Sequence, residues 1–154
     1  ADGIFWMKYG DFLNEFSALS ICRVRLGYFS CSFDISPAQP LAGQPLATCA
    51  AVLTLPEDFP SSAGVSLSML QSEPAGDRAQ PLFAGVGLQV FELSDSEPVH
   101  LATSAFAARR EVSVDARVRP GGRYLVVASW RAGGASARGC RLCVYGPGIV
   151  RLTP

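Results

Sequence analysis

Apolar and polar residues alternate most clearly between Arg109 and Trp130. Val112, Val114, Ala116 and Val118 fall on one face, with Glu111, Ser113, Asp115 and Arg117 on the other. A period of two marks a half-buried strand; a helix would repeat about every 3.6 residues, and that repeat is not visible here. Pro120-Gly121-Gly122 punctuates the run, and Tyr124–Ala128 follows as an almost unbroken, β-branched stretch. Proline presets φ at a turn corner and glycine accepts positive φ without a Cβ clash. A nearly continuous apolar strand is expected where both faces are covered. The pattern therefore predicts one long hairpin, its second arm inside a packed sheet.

Similar runs predict strands at Thr48–Leu55, Gly64–Leu70, Phe83–Leu93, Gly139–Tyr145 and Ile149–Leu152, and a weaker one at His100–Ala105. Val24, Leu26 and Tyr28 alternate before the frame slips to Phe29, Cys31 and Phe33, which predicts a bulge or bend beside Gly27. Ser36–Pro45, Gln71–Gln80 and Ala132–Gly139 read as loops. The opening differs from the rest. Ile4–Met7 reads as extended, Phe12, Leu13, Phe16 and Leu19 form one apolar helical stripe, and Ile21–Val24 resumes extended structure. That stripe is expected to pack against a neighbouring domain or the strands. Short strands joined by Pro/Gly loops predict an all-β fold, an antiparallel β-sandwich of about eight strands preceded by one short helix.

A chain of 154 residues, 49% hydrophobic, suits one domain core. No apolar run approaches the ~20 residues of a membrane helix. The chain begins at Ala1, so a trimmed or processed piece is expected. Zero net charge argues against bulk nucleic-acid binding. The charge is nevertheless uneven, because the chain from Ala116 onward carries seven arginines and no acid. Arg117, Arg119, Arg123, Arg138 and Arg141 are thus candidate contacts for an anionic membrane or an acidic protein segment, since guanidinium grips phosphate and carboxylate through a planar fork. The competing expectation is that strand alternation scatters them beside Glu57, Asp58, Glu92, Asp95 and Glu111 as ordinary surface pairs.

Five cysteines with no secretory signal predict reduced thiols in an intracellular, cytoplasmic protein. Cys140 and Cys143 share the CxxC spacing, but in a strand they face opposite ways about 10 Å apart, beyond the ~7 Å reach of a disulfide. No second CxxC or histidine pair completes a metal site, and no cofactor is expected. A cysteine nucleophile needs a base oriented by a third group. His100 is the single histidine and Asn14 the single asparagine, so no catalytic set is expected.

Gly3-Ile-Phe-Trp-Met-Lys-Tyr-Gly-Asp-Phe-Leu-Asn-Glu-Phe, with Ile21-Cys22 after it, resembles the segment that closes the catalytic core of calpain-type cysteine peptidases. Leu67-Ser-Met-Leu-Gln71, Gly85–Phe91, Arg110–Ser113 and Pro120–Tyr124 resemble, in the same order, landmarks of the C2-like β-sandwich that follows that core, and the likeness is to divergent, non-classical members. It implies that residues 1–22 end the catalytic core and residues 23–154 form the C2-like domain. The family's catalytic cysteine, histidine and asparagine would then lie upstream, leaving no catalytic residue here. The upstream core of the same chain is the implied partner, and the implied role is regulation of a peptidase. A scaffold that keeps the sandwich without peptidase activity is the alternative. The chain departs from the family at Lys8, where relatives offer a serine cap. It departs again in the acidic loop linked to calcium: Asp34 is the only acid between Glu15 and Glu57, too few carboxylates for a cation that takes about six oxygens.

Overall fold

The computed structural model of the protein describes residues 6–16, 26–36, 46–60, 64–72, 83–131 and 140–153. One helix, α1 (Tyr9–Glu15), precedes ten strands among the described residues. They are β1 (Phe29–Ile35), β2 (Leu46–Thr54), β3 (Gly64–Gln71), β4 (Gly85–Glu92), β5 (Val99–Thr103), β6 (Ala107–Ala108), β7 (Glu111–Arg117), β8 (Arg123–Arg131), β9 (Cys140–Gly146) and β10 (Arg151–Thr153). Two antiparallel sheets result. The first runs β1-β9-β3-β7, and the second runs β10-β2-β8-β4-β5 with β6 beside β4. The all-β, sandwich-like fold follows the hydrophobic pattern, with β6 as a short strand the pattern did not mark.

Alternation builds the core. Val65, Leu67, Met69, Leu142 and Val144 from the first sheet meet Leu53, Val86, Leu88, Val90 and Val126 from the second, all essentially inaccessible. Burying each such side chain contributes about 1.5–3 kcal/mol. Trp130 sits among them, and its indole N–H donates to Cys140 Sγ at 3.2 Å, bridging β8 and β9 across the sheets. Gln71 is a multiply bonded buried side chain: it donates to the Ala84 and Arg109 carbonyls and accepts the Ala84 N–H.

Two expectations are corrected. Glu111–Arg117 and Arg123–Arg131 do not form a hairpin. β7 pairs with β3 in one sheet, and β8 lies between β2 and β4 in the other. The connecting turn explains the split. Gly122 N–H bonds Arg119 O at 3.2 Å, with Pro120 at the first corner and Gly121 at φ +65 at the second. That is the type II pattern, whose twist splays flanking strands, whereas the primed turns bring them together. Nor is β8 covered on both faces, since its burial alternates along the whole strand. Tyr124, Val126, Ala128 and Trp130 point inward while Leu125, Val127 and Ser129 are half-buried.

Before β1, Leu26-Gly27 forms a turn with Gly27 at φ +81, outside any strand. The frame slip there comes from a turn, where the alternation also allowed a bulge. Trp6 and Met7 are not in a strand. Leu19, the Ile21–Val24 segment and the loop centres at 37–45, 73–82 and 132–139 lie outside the described residues.

Candidate functional site

The connections at one end of the sandwich are tied together through the backbone. Gly121 N–H bonds Pro56 O, Leu55 N–H bonds Gly122 O, and Leu93 N–H bonds Arg123 O, each near 3 Å. Tyr124, 1% exposed, completes the arrangement by accepting the Arg119 N–H on its hydroxyl at 2.8 Å. A polar hollow of about 390 Å³ lies here, lined in part by Glu57, Asp95, Arg119 and Arg123. Arg119 is held by Glu92 at 2.6 Å.

The hollow brings together two of the arginines singled out in the sequence. Arg117 and Arg141 lie elsewhere, on the outer face of the first sheet, at opposite ends of it: Arg117 pairs with Gly64 at the start of β3, Arg141 with Leu70 near its end. Arg141 is bound to Asp34 through Nε at 2.9 Å, and this contact lowers the Asp34 carboxyl below its ordinary range. Arg138 lies outside the described residues. The four described candidates thus fall at three places: Arg119 and Arg123 at the hollow, and Arg117 and Arg141 at opposite ends of the first sheet.

An apolar cleft of about 640 Å³ opens on the far side of the same β2–β3 connection. Phe29, Leu55, Phe59, Pro60, Pro147 and Ile149 form its walls, and Asp58 and Arg151 give it one charge of each sign. Its size and lining are those of ligand clefts in general. Sequence reasoning passed over it, although three prolines (Pro56, Pro60, Pro147) flanking isolated aromatics were a visible signal.

The helix shows a third feature. None of the α1 residues is buried. Phe12 and Phe16 stack at 4.9 Å, and Trp6, Tyr9, Leu13 and Phe16 stay exposed, Trp6 at 96%. Lys8 stands at the N-cap and makes no side-chain cap bond, as its identity implied. Phe12, Leu13 and Phe16 of the stripe therefore stay unburied by the described residues of the sandwich.

Cys31, Cys49, Cys140 and Cys143 are free thiols, and Cys22 lies outside the described residues. Cys140 joins the core, whereas Cys143 stands on the outer face between Ser32 and Ser68. Burial pushes the Cys31, Cys140 and Cys143 thiols up, the reverse of the activation a nucleophilic cysteine needs. His100 is exposed, bonding Thr103 Oγ1 at 2.6 Å and lying edge-on to Phe91. Asn14 sits on α1. Among the described residues no three His, Cys, Asp or Glu side chains gather as metal ligands. No described helix is long and apolar enough to cross a membrane.

No family model matches the chain, and no curated protein matches it.

Proposed function

We propose that this chain is the non-catalytic, C2-like regulatory module of a calpain-like cysteine peptidase, with residues 1–22 belonging to the peptidase body and residues 23–154 to the sandwich. The observation that carries this reading is α1, whose aromatic stripe finds no cover on the sandwich that follows it. An amphipathic helix normally owes its stability to packing of its apolar face. A helix of 7 residues with every position accessible is too short to persist in water unaided. Its apolar face therefore belongs against another body, and the resemblance of residues 3–16 to the close of a peptidase core names that body.

The module would act by bracing the core and by presenting its own loops to partners. Contact with an anionic membrane is the weaker part of the reading, because two of the described candidate arginines are already paired to acids and the four are spread over three places. Trp6 and Trp130 supply the test, one exposed and the other 1% exposed. The chain is titrated with a calpain-type catalytic core expressed without its own sandwich, following tryptophan emission and casein hydrolysis. A saturable blue shift, absent in Trp6→Phe, together with an altered hydrolysis rate supports the proposal. No shift, or labelling of the isolated chain by a cysteine-peptidase inactivator in a His100-dependent way, overturns it.

A further inference from the structure

Among the described residues, the edge strands β1, β7, β10 and β5, with the two-residue β6 beside β5 along β4, are not equally protected. A strand edge presents unpaired N–H and C=O groups, and proteins guard such edges by shortness, bulges, charges or proline. β10 spans three residues. β5 pairs with β4 through a register shift between Val90 and Phe91. β7 sets Glu111, Asp115 and Arg117 along its exposed face. β1 has none of these devices: it runs seven residues in unbroken register with β9, without proline. Its single charge, Asp34, is neutralised by Arg141 of its own sheet.

The side chains of β1 repeat the point. Cys31 and Phe33 face the core yet are only half-buried, and Phe29 is 50% exposed. On this flank β1 touches β10 of the second sheet, and on the opposite flank β7 packs against β4 and β5.

We propose that β1 is a self-association edge, on which a second copy of this chain lays its own β1 antiparallel, centred on Ser32. The sequence Phe29-Ser-Cys-Ser-Phe-Asp-Ile35 matches itself in that register. Ser30 stands opposite Asp34 of the second copy, so the outer face meets hydroxyl to carboxylate. Cys31 stands opposite Phe33, and Phe29 opposite Ile35, so the inner face meets apolar to apolar. The pairing is isologous, closes with two-fold symmetry and extends the first sheet through both copies. Cross-strand pairs of these kinds are individually weak, so the dimer is reversible and concentration-dependent.

Sedimentation equilibrium across a wide concentration range tests this, using substitutions at the exposed, self-opposed Ser32. Wild type associates reversibly. Ser32→Lys and Ser32→Asp each weaken association about fivefold or more, because like charges face each other across the axis, and an equimolar mixture of the two recovers it. Cysteine substitution reads the register independently. Ser32→Cys lies about 5 Å from its counterpart and cross-links on oxidation with diamide, whereas Ser30→Cys, about 14 Å from its own counterpart, does not. Wild type that stays monomeric at every concentration overturns the proposal, as does a Lys/Asp mixture no stronger than either variant alone, or Ser30→Cys cross-linking as fast as Ser32→Cys.

Discussion

Replacing Tyr124 by phenylalanine removes one oxygen atom and leaves the ring where it is. That oxygen accepts the Arg119 N–H at 2.8 Å, five residues upstream, and so fastens the turn between β7 and β8 to the first residues of β8. The ring is 1% exposed, and water has little access to replace the lost acceptor. Leaving a part-buried amide without a partner costs about 1–3 kcal/mol. For a domain of this size each kcal/mol lowers the melting midpoint by roughly 2–4 °C, so Tyr124→Phe is expected to melt about 2–12 °C earlier. Gly122→Ala probes the same contact from the other side. A Cβ at position 122 would sit 2.7 Å from Tyr124 Cε2 and 2.8 Å from Cζ, with the hydroxyl closer still. Either the ring or the turn must move. Because both substitutions act on one contact, they couple: the double variant is expected to lose less stability than the sum of the singles. Differential scanning calorimetry of the four proteins measures this, and amide exchange at Arg119 reports the bond directly. A Tyr124→Phe midpoint within one degree of wild type, or strict additivity in the cycle, would refute the reasoning.

Val126→Asp places a carboxylate at a fully inaccessible position of β8, at a cost of several kcal/mol after relaxation, and is expected to leave little folded protein by near-ultraviolet circular dichroism. Ser68 is buried, and its hydroxyl has no partner other than the facing Cys143 thiol, a weak acceptor, so Ser68→Ala is expected to hold or raise the melting midpoint, by up to about 4 °C, and a decrease would show that the thiol contact stabilises the fold. Burial raises the Cys31, Cys140 and Cys143 thiols above their unfolded values, so the folded state holds those protons more tightly. The corresponding stability is complete below the unfolded thiol pKa of about 8.5 and is lost as pH rises through the raised values. Midpoints measured under reductant should be level at neutral pH and fall above about pH 9, less steeply in Cys143→Ala; an identical alkaline slope in that variant speaks against it.

The strands were legible because a sheet with one buried face writes its period into the chain. Val65, Leu67 and Met69 alternate with Ser66 and Ser68 in the sequence and in space. The choice of sheet was not legible from alternation, since a strand reads the same whichever layer receives it. The turn held that information. Proline before glycine selects a type II turn that splays its arms, and no Asn-Gly or Asp-Gly signal for a hairpin was present. Helix α1 was legible as an amphipathic stripe, but the face it would meet lies outside a single sequence's reach. The candidate arginines were legible as a compositional run, while their dispersal follows from register: β7 and β9 flank β3, so Arg117 and Arg141 land at opposite ends of one sheet. The prolines and aromatics of the cleft beside Phe29 and Ile149 were visible singly, but not as one site, because its walls come from three segments distant in the chain.

The order of strands also governs when this protein can fold. Each sheet has a strand that its neighbours depend on: β9 joins β1 to β3, and β8 joins β2 to β4. Both stand late in the chain, β8 ending at Arg131 and β9 at Gly146. As the polypeptide leaves the ribosome, the first four strands emerge with their apolar faces ready and no partner to receive them. Pairing that must wait for distant residues is slow, and waiting surfaces of this kind are prone to aggregate. Emergence of β8 and β9 therefore releases this fold as a whole. A nascent chain stopped before β9 should be a client for chaperones, and yield in a cell should depend on how quickly β8 and β9 follow the earlier strands.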